Sequence, residues 1–104
     1  MRPQPQGQHE KPLPKLRDIR RSCKKELYRT VKRLQVWIPE DKLKQAEQLY
    51  VQRVVADLLW IAETGNNRKK LSDWWDQHVN ADIAELWDVD AAKLSRAFRQ
   101  AFGG

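Results

Sequence analysis

The chain has one cysteine, Cys23, so no internal disulfide can form, which fits a reducing compartment. Long apolar runs are missing as well. Val54 to Ala62 is interrupted by Asp57 and falls short of the roughly 18 residues a membrane span needs. The first 15 residues hold no apolar stretch of the kind a secretory signal carries. The expectation is a soluble intracellular protein, cytoplasmic or associated with the nucleoid, with no membrane partner. Histidine is scarce: His9 sits in the polar start and His78 stands alone beside Trp74-Trp75, so no metal-ligand set assembles. There is no Gly-rich phosphate loop, and Ser22, Ser72 and Ser95 have no base placed near them by the sequence. Asp73 and Asp76 share a helix face but read as solvated surface acids. These absences argue against an enzyme and leave no catalytic residue, cofactor or metal to name.

Tryptophan and positive charge are what the chain has in quantity. Five tryptophans (Trp37, Trp60, Trp74, Trp75, Trp87) are many for 104 residues. Each can bury about 150–250 Å², which compensates for the modest core of a single domain of this length. Any one of them is expected in the core first; if a pair instead faces a protein partner, it is Trp74-Trp75. The net charge of +6 is unevenly spread. Residues 1–34 hold eleven Lys/Arg against three acids, whereas residues 35–104 hold nine against eleven. A basic half suits a polyanion such as nucleic acid, through phosphate contacts and counterion release, although a solvated helix face has the same composition.

Residues 1–14 are polar, carry four of the five prolines, and are expected to be a disordered tail. From Lys15 a helix begins, with Leu16, Ile19, Cys23, Leu27, Val31 and Leu34 painting one apolar stripe. Cys23 on that stripe reads as a buried core residue. The other faces carry Arg17, Arg20, Arg21, Lys24, Lys25, Arg29, Lys32 and Arg33. Pro39 restricts Ile38 to an extended conformation and opens a second helix, with Glu40 and Asp41 at its positive end. No Gly or Pro interrupts residues 40–63, so one long helix is expected, closed by Gly65 as a left-handed cap. A third helix follows from about Lys70 to Val79, with Leu71, Trp74, Trp75 and Val79 inward. Strand signals are nearly absent. The expected fold is all-α: a compact bundle of four to five helices over residues 15–104.

The stretch Ala81 to Arg99 speaks most directly to function. It reads as two short helices bent around Asp88-Val89-Asp90, the pattern of a helix-turn-helix at about residues 82–101, whose second helix lies in the DNA major groove. Ala84 supplies the small residue where the helices cross, Val89 plugs the space after the turn, and Leu94 points inward. Asp90 is a good N-cap for the second helix, which turns Leu94, Ala97 and Phe98 inward and leaves Lys93, Arg96 and Arg99 mostly outward. Asp82-Ile83-Ala84-Glu85-Leu86, then Leu94-Ser95-Arg96-Ala97-Phe98-Arg99, then Phe102-Gly103, resembles a helix-turn-helix of the AraC type. The resemblance covers residues 70–104. It implies DNA binding by the Ala91–Arg99 helix, with Arg96 and Arg99 as candidate contacts. Asp88 stands where that family usually has glycine, and so must itself take a left-handed conformation. Residues 71–104 carry three cations against six acids, so phosphate affinity has to come from elsewhere.

The expected function is duplex DNA binding by a small transcriptional regulator, as a homodimer, because one short recognition helix makes few base contacts. Arg17, Arg20, Arg21, Lys24 and Lys25 would anchor phosphates while Lys93, Arg96 and Arg99 enter the groove. Two other readings stand beside it. Lys32 to Glu40 looks like the start of a ribbon-helix-helix repressor, with Arg33, Gln35 and Trp37 as readers on a strand. Alternatively, the chain is a helical subunit of a ribonucleoprotein or protein assembly, with the basic helix tracking RNA or single-stranded DNA without sequence readout and Trp74-Trp75 on a partner.

Overall fold

In the computed structural model, residues 13–104 are described; the expected tail lies outside them except for its last two residues. Helix α1, Leu16–Leu34, forms where the apolar stripe runs and buries Ile19, Cys23 and Leu27. The stripe also takes in Thr30, whose hydroxyl donates to the Glu26 carbonyl at 2.7 Å and so enters the core satisfied. Burial pushes the Cys23 thiol up to about 12, which keeps it a neutral packing group. Gln35, at φ 60°, ends α1 in the left-handed region. Helix α2 follows at Glu40–Ala56, after an extended Pro39.

The long second helix expected from the sequence is broken. Asp57, at φ −117° and ψ 29°, separates α2 from α3, Leu58–Thr64. A tertiary contact coincides with the break: the Asp57 carboxylate accepts the Trp74 indole N–H at 2.8 Å. Gly65 closes α3 at φ 64° and ψ −117°. It has the positive φ expected of it, but in a region open only to glycine rather than the left-handed helical one.

Helix α4, Arg68–Trp75, is capped by the Asn67 side chain, which accepts from the Lys70 N–H. It runs on through a π-helical turn, Asp76–Asn80, into α5, Ala81–Trp87, with every junction residue in right-handed helical geometry. The sequence predicts a helix end near Val79; the backbone does not stop there. Trp75, Val79, Ile83 and Trp87 are all buried, and on a regular helix each four-residue step drifts by about 40°. The wider π turn absorbs that drift and keeps the four on one side. Asn80 is buried inside this turn and donates to the Ala91 carbonyl at 2.9 Å, so it ties helices together and does not act as a cap.

Helix α6, Ala91–Phe102, closes the chain, with Gly103 at φ 92° as its left-handed cap. The core gathers around it. Phe98 stacks face to face on Trp75 with centroids 4.0 Å apart, and Tyr50 meets both edge-on at 6.3 and 6.4 Å. Such pairs contribute about 0.5–1.5 kcal/mol each beyond the area they bury. α1 lies along α6 and α2 lies along α1. The fold is all-helical among the described residues, as expected, and no strand forms there. The ribbon-helix-helix reading therefore fails: Arg33 lies inside α1, and residues 35–39 form an irregular connection.

Trp74 and Trp75 are buried, which agrees with the core placement expected first for any tryptophan and corrects the alternative of a partner surface on that pair. Both sit on the inner side of α4, one bonded to Asp57 and the other stacked on Phe98. The exposed tryptophans are Trp37, at 84%, and Trp60, at 42%. No described helix is long and apolar enough to cross a membrane.

Candidate nucleic-acid interface

The α5–α6 connection is built from its own residues. Asp88, at φ 55° and ψ 49°, takes the left-handed conformation required of it. Its N–H bonds the Glu85 carbonyl at 3.2 Å and the Val89 N–H bonds the Ala84 carbonyl at 3.0 Å. That pair of bonds is the Schellman arrangement, with aspartate in the usual glycine position. Asp90 then caps α6, its carboxylate accepting the Lys93 N–H at 3.0 Å, and this bond holds its pKa below the ordinary range. Ala84, Leu94, Ala97 and Phe98 are buried, and Val89 is half-buried between the helices. The Trp87 indole N–H donates to the Lys42 carbonyl at 3.1 Å, which fixes the connection against the first turn of α2.

The three cations of α6 have different fates. Lys93 and Arg96 are exposed and form no ion pair among the described residues. Arg99 is drawn into the fold. Its Nη2 donates to Asp73 at 2.7 Å and to Asp76 at 2.5 Å, and Asp76 also accepts the Ser95 hydroxyl at 2.7 Å. The Arg99 hydrogen bond holds the Asp73 carboxyl below its usual range. Asp73 and Asp76, expected as solvated surface acids, are half-buried partners of α6 instead. An arginine clasped by two carboxylates is not available to a phosphate or a base. Ser95 is likewise committed.

The five cations expected on α1 are all exposed. Arg20, Arg21 and Lys24 line a groove with Lys44, Glu47 and Gln48 of α2, and Lys25 lines a neighbouring one with Glu40 and Leu43. Arg17 lies seven residues before Lys24, and so on the same flank. These cations therefore gather on the side of α1 that meets α2. The other flank adjoins α6, because Ser22 and Glu26 share a cavity with Phe98 and Phe102.

α1 and α6 run antiparallel. The end of α1 leads through residues 35–39 to the start of α2, which Trp87 holds beside the start of α6. Arg29 and Arg33 are exposed and lie seven residues beyond Ser22 and Glu26, about two turns further along the same flank. They thus approach the N-terminal half of α6, where Lys93 and Arg96 are exposed. Sequence reasoning passes over these two because both flanks of α1 are cationic, and nothing within α1 says which flank meets α6.

No group of three or more potential metal ligands occurs among the described residues. Compared with known protein families, curated proteins and solved structures, the chain finds no match.

Proposed function

We propose that the chain binds duplex DNA through the α5–turn–α6 unit, in the manner of a helix-turn-helix, and acts as a small DNA-binding regulator. One observation carries the reading. Lys93 and Arg96 on α6 and Arg29 and Arg33 on α1 are exposed, and none is in an ion pair among the described residues; helix periodicity puts the α1 pair on the flank that adjoins α6. In this reading the start of α6 enters the major groove with Arg96 as its main base reader, and Arg29 and Arg33 contact phosphates alongside. Ala91 and Ala92 are exposed but too short to reach base edges, so sequence preference rests on few contacts. Two copies on a repeated half-site are expected to supply the rest.

A second reading is favoured by a separate observation, the groove where Arg20, Arg21 and Lys24 meet Lys44. There the protein would follow a nucleic-acid backbone, single-stranded or RNA, without reading sequence.

Binding to random duplex and single-stranded DNA, with Arg96→Ala beside the wild type, separates the two. The first reading expects Arg96→Ala to cost about 1–3 kcal/mol of duplex affinity and to relax base preference. Unchanged duplex affinity in that variant would sink it in favour of the second.

A further inference from the structure

A cavity of about 330 Å³ lies between α1, α2, α3, α4 and the C-terminal half of α6, within the size range of small-molecule sites. Its walls are mainly apolar, with Val54, Leu58, Ile61, Trp74 and Phe98 among them. Into this lining α1 brings two carboxyl groups, of which that of Glu26 is the more buried. Its Oε1 is buried and has no hydrogen-bond partner among the described residues, an arrangement that costs stability unless something donates to it. Burial raises the Glu26 pKa, against the opposing pull of Arg29, Arg68 and Lys25. The one cation among the lining residues, Arg68, is engaged elsewhere: it sits over the Phe102 ring and donates to the Phe102 carbonyl at 3.0 Å. Asp18, exposed, adds a second acid to the lining.

We propose that this cavity is a binding site for a small apolar molecule carrying a protonated amine. The apolar part fills the space bounded by Leu58, Ile61 and Phe98, and the ammonium donates to the Glu26 carboxylate. An anion is disfavoured by the two carboxyls, and a purely apolar molecule would gain nothing from them. The site does not rest on the DNA-binding reading and is tested without nucleic acid.

The test uses three probes of one shape on the full chain: 2-phenylethylammonium, 2-phenylethanol and 3-phenylpropanoate. Binding is followed by tryptophan fluorescence, since Trp74 lines the cavity, and by amide chemical shifts. The ammonium is expected to bind best, to move the amides of Cys23 and Leu58, and to weaken about tenfold in Glu26→Gln, the size of one charge-assisted hydrogen bond. The alcohol should bind wild type and Glu26→Gln alike. A second variant, Ala62→Phe, fills the cavity from α3 and should abolish binding of both. Equal affinity of the ammonium for wild type and Glu26→Gln, preference for the carboxylate, or no binding of any probe would each overturn the proposal.

Discussion

In the C-terminal unit, α4 to α6, charged side chains hold the elements to one another: Asp73 and Asp76 clasp Arg99, Ser95 donates to Asp76, and Asp90 caps α6. Along α1 the cations are exposed instead, and none forms an ion pair among the described residues. The two regions show that a cation on an outward helix position is not thereby a binding residue. What decides is whether an acid from another element reaches it. Arg96 and Arg99 are neighbours on one helix and fall on opposite sides of that divide.

The largest expected effect lies in the region that uses its side chains for cohesion. Trp75→Ala removes the ring stacked on Phe98 and should cost about 3–5 kcal/mol in urea unfolding, as truncations of large buried aromatics do. A loss near that of a surface substitution would show that the core is not organised around this stack. Next comes the pair on α6. Arg99→Ala should cost about 1–2 kcal/mol of stability, the range for hydrogen bonds to charged groups discounted for partial exposure. Arg96→Ala should change stability by no more than about 0.5 kcal/mol. Similar losses for the two would erase the contrast between committed and free cations.

Acid should act on the same cluster. The Asp73 and Asp90 pKa values are lowered in the folded state. The stability they contribute is therefore present above the ordinary carboxylate pKa and lost as pH falls through the lowered values. Melting temperature should drop over that acid range, and Arg99→Ala should flatten the drop; an unaltered acid profile in that variant would place the effect elsewhere. The smallest effect is expected at Glu26, where the sign reverses. Its folded pKa is raised, so its contribution is present below the unfolded pKa and lost as pH rises through the folded one. Glu26→Gln should therefore gain stability at neutral pH, on the order of 0.5 kcal/mol, and show no gain in acid, below the ordinary carboxylate pKa. A loss at neutral pH would mean that the carboxylate has a partner in solution.

Local signals are readable in the chain. The stripe from Ile19 to Leu34 marks α1, Asp90 marks the start of α6, Gly103 its end, and Leu94, Ala97 and Phe98 its inner side. The features that escape depend on partners distant in sequence. The second helix breaks at Asp57, where the carboxylate bonds an indole 17 residues away. Arg99 looks outward on a helical wheel until α4 and the π turn supply two carboxylates. The π turn answers a drift in register that periodicity alone cannot distinguish from a helix end. Arg29 and Arg33 join the candidate interface through the antiparallel packing of α1 on α6, which no local pattern encodes.

The proposal that the α1–α6 flank meets DNA is tested most directly by the salt dependence of duplex binding. Wild type is compared with the double variants Arg29→Ala/Arg33→Ala and Arg20→Ala/Arg21→Ala, each titrated with salt. If the α1–α6 flank is the interface, the first variant should lower the slope of log K against log salt by about two, roughly one for each phosphate that is no longer neutralised, while the second leaves it unchanged. The reverse result, a slope reduced only by the Arg20/Arg21 pair, would contradict the account and move the interface to the α1–α2 groove.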